Sequence, residues 1–260
     1  ATASYLDSPV LPELATLLAG SWPYPVEAVT VVDGAMDALS RVLDLVLRFG
    51  SRVVVESPGF PPLFDLLELL GIERLPVELD EHGIVPEALS RALKLSPAAV
   101  VLQPRTQNPT GASMSPERAR ELARLLSTSR TAEHTVVIED DHSGDISGAP
   151  EVSLGSHLPG RVLHIRSFSK SHGPDLRIAA VGGPAHLIDR LVARRLLGPG
   201  WTSRMLQTIL LVGLGLLVAP LCVLFSDLER TTRLIEQTEA KGGLERDEEV
   251  LGSRASPHVR

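Results

Sequence analysis

Short runs of Val, Ile, Leu and Ala alternate along the chain with longer stretches in which apolar residues recur every three or four positions. The short runs predict strands at Ala28–Val32, Arg52–Glu56, Arg74–Glu78, Ala98–Gln103, Thr135–Asp140, Arg161–Arg166 and Ile178–Gly182. Several are almost continuously apolar, the pattern of strands covered on both faces. The longer stretches predict helices at about Ala35–Arg48, Pro61–Leu70, Pro86–Leu93, Pro116–Leu126 and Ala185–Leu197. Ser115-Pro116-Glu117 carries a helix start: a capping hydroxyl, then Pro in the first turn, then an acid near the positive helix end. Such alternation implies right-handed crossovers and an α/β fold of three layers, with helices on both sides of a seven-stranded, mostly parallel mixed sheet. The link from Lys170 to Ile178 is too short for a helical crossover, so the last strand is expected to run antiparallel to its predecessor.

The C-terminal quarter breaks this rhythm. Ile209 to Phe225 contains no charged residue, and the run extends back to Met205 with only Gln207 and Thr208 as polar interruptions. It reads as a buried interdomain helix or its remnant; a membrane anchor is the alternative, weakened by Pro220 and two glycines. The expected organisation is therefore a large domain over 1–204, an apolar helix over 205–226 and a polar, partly disordered tail over 227–260.

Composition narrows the function classes. With 43% hydrophobic and 22% charged residues, wholesale disorder is excluded. A net charge of −7 makes the chain a poor candidate for binding nucleic acid by phosphate neutralisation. Cys222 is the only cysteine, so neither a disulfide framework nor a Cys-based zinc site is expected. That fits a reducing cytoplasm, and no secretory pattern is visible in Ala1–Val10.

Three polar signals follow predicted strands, where open α/β sheets bind their ligands. In Ser167-Phe168-Ser169-Lys170, followed by Arg177, a lysine held partly desolvated would be a Schiff-base nucleophile, and Arg177 with the serines could bind a phosphate. Taken alone, the same segment also reads as a surface loop. Asn108-Pro109-Thr110-Gly111 is a turn signature whose Asn amide could reach a ligand oxygen. In Ile138-Glu139-Asp140-Asp141-His142, acids ending an apolar strand are costly unless paired. Asp140 could pair with a protonated ring nitrogen and His142 could stack or hydrogen-bond beside it, with a metal site or a solvated loop as alternatives.

In this order the three signals resemble fold-type I pyridoxal-phosphate enzymes, the aminotransferase class I/II group, and most of all the aminotransferase-like domain of MocR-type regulators of the GntR superfamily. The resemblance covers roughly Tyr5 to Gln207. It implies the three-layer large domain of these transferases, pyridoxal 5'-phosphate as cofactor, and amino acid and keto-acid as substrates. Lys170 would form the internal aldimine, Asp140 would hold the pyridinium nitrogen, and Asn108 would bond the phenolic oxygen. Ser167, Ser169 and Arg177 would face the phosphate, with the amides of Ala35 and Met36 at a helix start; Phe60 would stack on the ring. Tyr5 matches the segment that reaches the neighbouring subunit, which implies a homodimer. His142 departs from the tyrosine that relatives carry. No winged-helix segment and no small domain with its carboxylate-gripping arginine are recognised, so a truncated copy or a non-catalytic effector domain is the rival expectation.

Overall fold

A computed structural model describes residues 7–215 of the chain. The chain divides into two compact units, Ala1–Leu211 and Val212–Arg260; of the second, only 212–215 are described, as helix. Tyr5, the apolar run from 216 onward and the polar tail over 227–260 lie outside the described residues.

One mixed sheet organises the first unit. Its strands are β1 (Ala28–Val32), β2 (Arg52–Ser57), β3 (Glu73–Asp80), β4 (Gly83–Ile84), β5 (Ala99–Leu102), β6 (Val136–Asp141), β7 (Val162–Ser167) and β8 (Ala179–Gly183), in spatial order β1-β8-β7-β6-β5-β2-β3-β4. The β7-β6-β5-β2-β3 stretch is parallel, while β8 runs antiparallel to both β7 and β1. The short Lys170–Ile178 link thus makes the reversal expected of it. The sheet has eight strands rather than seven, because the two-residue β4 folds back antiparallel onto the end of β3. Two residues are too few to leave a hydrophobic period in the sequence.

The helices are α1 (Pro12–Gly20), α2 (Ala35–Val46), α3 (Pro61–Leu69), α4 (Pro86–Leu93), α5 (Pro116–Thr128) and α6 (Ala185–Arg195). Proline stands in the first turn of α1, α3, α4 and α5, where its missing N–H costs nothing. The Ser115 hydroxyl accepts from Arg118 N–H at 3.1 Å and caps α5. α2 buries Ala38, Leu39, Val42, Leu43 and Leu45 against alternate residues of the central strands, among them Val55, Val101, Ile138 and Ile165. Each of these buried Val, Leu and Ile side chains contributes about 1.5–3 kcal/mol. α6 and α3 share that face, while α4 and α5 form the opposite layer. α1, not anticipated, buries Leu14 and Leu18, one helical turn apart. Among the described residues no helix is long and apolar enough to cross a membrane.

Candidate functional site

Parallel strands deliver their carboxyl ends to one edge of the sheet, and the loops that follow β1, β2, β5, β6 and β7 all open there. Because β8 is antiparallel, its beginning, with Arg177 just before it, arrives at the same edge. A cavity of about 320 Å³ lies between these ends. Its lining brings together every described residue singled out by sequence: Ala35 and Met36 from the start of α2, Phe60 from the start of α3, and Asn108 from the turn after β5. Asp140 and His142 come from the end of β6, and Ser167, Ser169, Lys170 and Arg177 from the segment joining β7 to β8. Gln103 and Leu39 complete it. Both were missed by sequence reading, although Gln103, like Asp140, is a polar residue closing an apolar strand.

Alternation along β6 sorts its three acids. Asp140 faces the cavity from the same side as Ile138 and the α2 layer. Glu139 and Asp141 turn to the other face, where they are wholly buried and fully engaged. Glu139 accepts from Ser153 Oγ at 2.6 Å and Leu154 N–H at 2.7 Å, and meets His164 Nδ1 at 2.7 Å. Asp141 is gripped by Arg105 at 2.5 Å and accepts from Gly144 N–H at 3.1 Å. These partners account for two of the acids as structural.

Asp140 is different. It is 3% exposed, and its Oδ2 accepts from Gln103 Nε2 at 2.9 Å while its Oδ1 is buried without a partner among the described residues. Burial pushes its carboxyl above the usual carboxylate range, with the Gln103 hydrogen bond and the neighbouring His142 and Lys170 opposing. An unpaired buried carboxylate oxygen costs free energy unless a donor or cation arrives. Glu56, near the end of β2, accepts from Gln103 N–H at 3.1 Å; burial pushes it up to about 8.

Lys170 is exposed rather than desolvated as the sequence suggested, because the edge of the sheet is open where the loop leaves β7. Its Nζ meets His142 Nδ1, and His142 Nε2 lies 3.0 Å from the carbonyl oxygen of Thr106. Thr106 has φ 50°, a left-handed conformation that turns this carbonyl toward the ring. On the opposite wall, Gly34 caps α2 with φ 103°, and a Cβ there would stand 2.7 Å from Arg177 Nη2. The close approach sets the guanidinium over the helix start, whose free amides and dipole attract anions. Ser169 Oγ, on the same cavity lining, is buried and has no partner among the described residues.

A fold, a cavity at the carboxyl edge and this residue set together define the chain's class. It matches the family "Aminotransferase class I and II" over residues 1–215 and belongs to that family. Among curated proteins it is 37% identical, over 79% of its own length and 48% of the relative's, to the vitamin B6 salvage pathway transcriptional repressor PtsJ of Salmonella typhimurium. It is 30% identical to the mitochondrial kynurenine/alpha-aminoadipate aminotransferase of Bos taurus over 62% of this chain and 41% of that one. The structure superposes on LysN, an alpha-aminoadipate aminotransferase of Thermus thermophilus, with TM-score 0.71 and 25% identity, covering 82% of this chain and 55% of LysN. The LysN structure holds N-(5'-phosphopyridoxyl)-L-leucine. The chain thus spans about half or less of the curated relatives' length, and its fold is that of the large domain of pyridoxal-phosphate transferases.

The residues present fit that cofactor. The orphaned Asp140 Oδ1 asks for a cation or donor in the cavity, which a protonated pyridine nitrogen provides. The unpartnered Ser169 Oγ, Arg177 and the α2 amides form a cradle suited to a phosphate.

Proposed function

We propose that this chain is a pyridoxal-phosphate-binding aminotransferase domain that passes amino groups between an amino acid and a keto-acid. The observation that carries the reading is Asp140: a buried carboxylate with one free oxygen, on the wall of the cavity that also receives Lys170. Bound pyridoxal phosphate supplies an aldehyde and an electron-withdrawing ring. Asp140 would keep a proton on the ring nitrogen, Asn108 would bond the phenolic oxygen, and Phe60 would cover a ring face. Ser167, Ser169, Arg177 and the amides of Ala35 and Met36 would hold the phosphate. Lys170 would be the amine that holds the cofactor at its aldehyde and would move the substrate's α-proton as acid and base. His142 offers its Nδ1 lone pair to the Lys170 amine and so takes and returns the proton at Nζ.

A large domain over 1–204, a homodimer in which Tyr5 reaches the neighbouring site, and a cytoplasmic setting belong to the same proposal, supported by family membership and by the single cysteine. The 37% identity to a transcriptional repressor favours a second reading, a non-catalytic domain that senses pyridoxal phosphate or an amino acid for a MocR-type regulator. Single-turnover conversion of bound pyridoxal to pyridoxamine phosphate, followed by absorbance over a panel of amino acids, separates the two. Conversion at about 1 per second or faster supports transamination. Retention of the cofactor without conversion supports sensing, and absence of binding removes both.

A further inference from the structure

Gln103 is the hub of the cavity floor. It follows β5, between β2 and β6 in the sheet, so one residue can reach both neighbouring strands. Its backbone N–H donates to Glu56 Oε2 at 3.1 Å on the β2 side. Its side-chain Nε2 donates to Asp140 Oδ2 at 2.9 Å on the β6 side. Its side-chain Oε1 accepts the backbone N–H of Asn108 at 2.8 Å. The residue is 7% exposed, and its amide has one orientation that satisfies both partners, since a carboxylate only accepts and an N–H only donates. Glu56 in turn accepts from Gln107 Nε2 at 3.3 Å, and Gln107 Oε1 accepts from Thr110 N–H at 3.0 Å, so the turn bearing Asn108 is braced twice.

We infer that Gln103 is a positioning residue for cofactor electronics: by holding Asp140 Oδ2 and the Asn108 backbone with one amide, it aims Asp140 Oδ1 into the cavity and fixes the spacing between the groups that meet the ring nitrogen and the phenolic oxygen. The inference rests on the reading of this cavity as a pyridoxal-phosphate site. Two consequences follow chemically. The Gln103 donor favours ionised Asp140 against the burial that disfavours it. With Oδ2 occupied, the carboxylate cannot rotate to satisfy Oδ1 elsewhere without breaking a buried hydrogen bond. Lys170 and His142 also favour the ionised form, while Asp141 opposes it; after burial, the Gln103 hydrogen bond is the largest of these influences.

The test begins on the cofactor-free protein. Carboxyl-carbon NMR follows Asp140, assigned by Asp140→Asn, in wild type, Gln103→Leu and Gln103→Met, both of which remove the donor to Asp140 without adding a charge. Both variants should raise the Asp140 midpoint by about one pH unit. In wild type itself, the Gln103 side-chain amide hydrogens should shift with the same midpoint as Asp140 and lose that step in Asp140→Asn, a readout that stands even if the Gln103 variants do not fold. With nitrogen-labelled pyridoxal phosphate added, the ring nitrogen should be protonated in wild type and partly deprotonated in Gln103→Leu, with affinity about tenfold weaker. An Asp140 midpoint unchanged in folded variants, or Gln103 amide hydrogens indifferent to Asp140, overturns the inference. Failure of wild type to bind pyridoxal phosphate instead overturns the proposed function, and the cofactor-free titrations distinguish the two.

Discussion

His142 turns Nδ1 to the Nζ of Lys170 while its Nε2 lies 3.0 Å from the Thr106 carbonyl oxygen. A carbonyl only accepts, so Nε2 carries the hydrogen and Nδ1 presents its lone pair to the amine in the neutral ring. Burial holds the imidazole below its usual range, and the nearby Lys170 charge acts the same way, so the neutral form is the one present at pH 7. The pair is arranged to pass a proton between the two nitrogens.

Nitrogen NMR of the imidazole should accordingly show the Nε2–H tautomer at neutral pH. Replacing His142 by Phe should slow capture of pyridoxal phosphate by Lys170 about 100-fold, the usual contribution of a positioned base. A histidine in the Nδ1–H form would contradict the assignment.

The two neighbouring acids of β6 should fail in different ways. Asp141→Ala leaves the buried Arg105 without its main partner and should cost about 3–5 kcal/mol of stability in urea denaturation. Asp140→Ala removes a half-unpaired carboxylate but leaves the buried Gln103 amide without its acceptor, so it should cost stability only about 1 kcal/mol. Its effect falls on pyridoxal-phosphate affinity, weakened about 30-fold or more. The reverse pattern would show that the strand register has been misassigned by one residue.

Glu56 gives the fold a pH signature. Its carboxyl is raised by burial from 4.5 to about 8, so between those values the folded chain holds a proton that the unfolded chain releases. Stability contributed by this group is full below the unfolded value and falls as pH rises through the folded one, by at most about 1.4 kcal/mol per pH unit. Urea midpoints taken from pH 5 to 8 should decline, and Glu56→Gln should flatten that decline. An identical slope in the variant would rule out Glu56 as its source.

Gly34 and Gly50 separate backbone strain from site geometry. Both have positive φ, 103° and 76°, so alanine at either should cost about 1–3 kcal/mol. Only at Gly34 would the new Cβ collide with Arg177; at Gly50 the space is open. Gly34→Ala should therefore weaken binding of pyridoxal phosphate while Gly50→Ala leaves it intact, as fluorescence titration can show.

Much of this was legible from sequence because the signals are local. Apolar runs such as Val53–Val55 mark strands buried on both faces, and the short link before Ile178 forces an antiparallel partner. The polar residues at strand ends could be read as a group because parallel strands send those ends to one edge. What escaped depends on tertiary geometry. β4 has no period to detect, and α1 has a single buried pair, Leu14 and Leu18, to announce it. Gln103 reads as an ordinary polar residue before Pro104, and only the neighbouring positions of β2 and β6 reveal that it ties Glu56 to Asp140. The exposure of Lys170 depends on how the loop leaves β7, which no local pattern encodes.

The central claim is that Lys170 is the residue that joins the cofactor, and the chain makes the test simple because its only lysines are Lys94, Lys170 and Lys241. Pyridoxal phosphate is added to the purified protein, the visible absorption is recorded, and the complex is fixed with borohydride and mapped by peptide mass. The account predicts a visible band that Lys170→Ala abolishes and a single pyridoxyl label on Lys170. A label distributed over Lys94 and Lys241, or a band unchanged in Lys170→Ala, would contradict it.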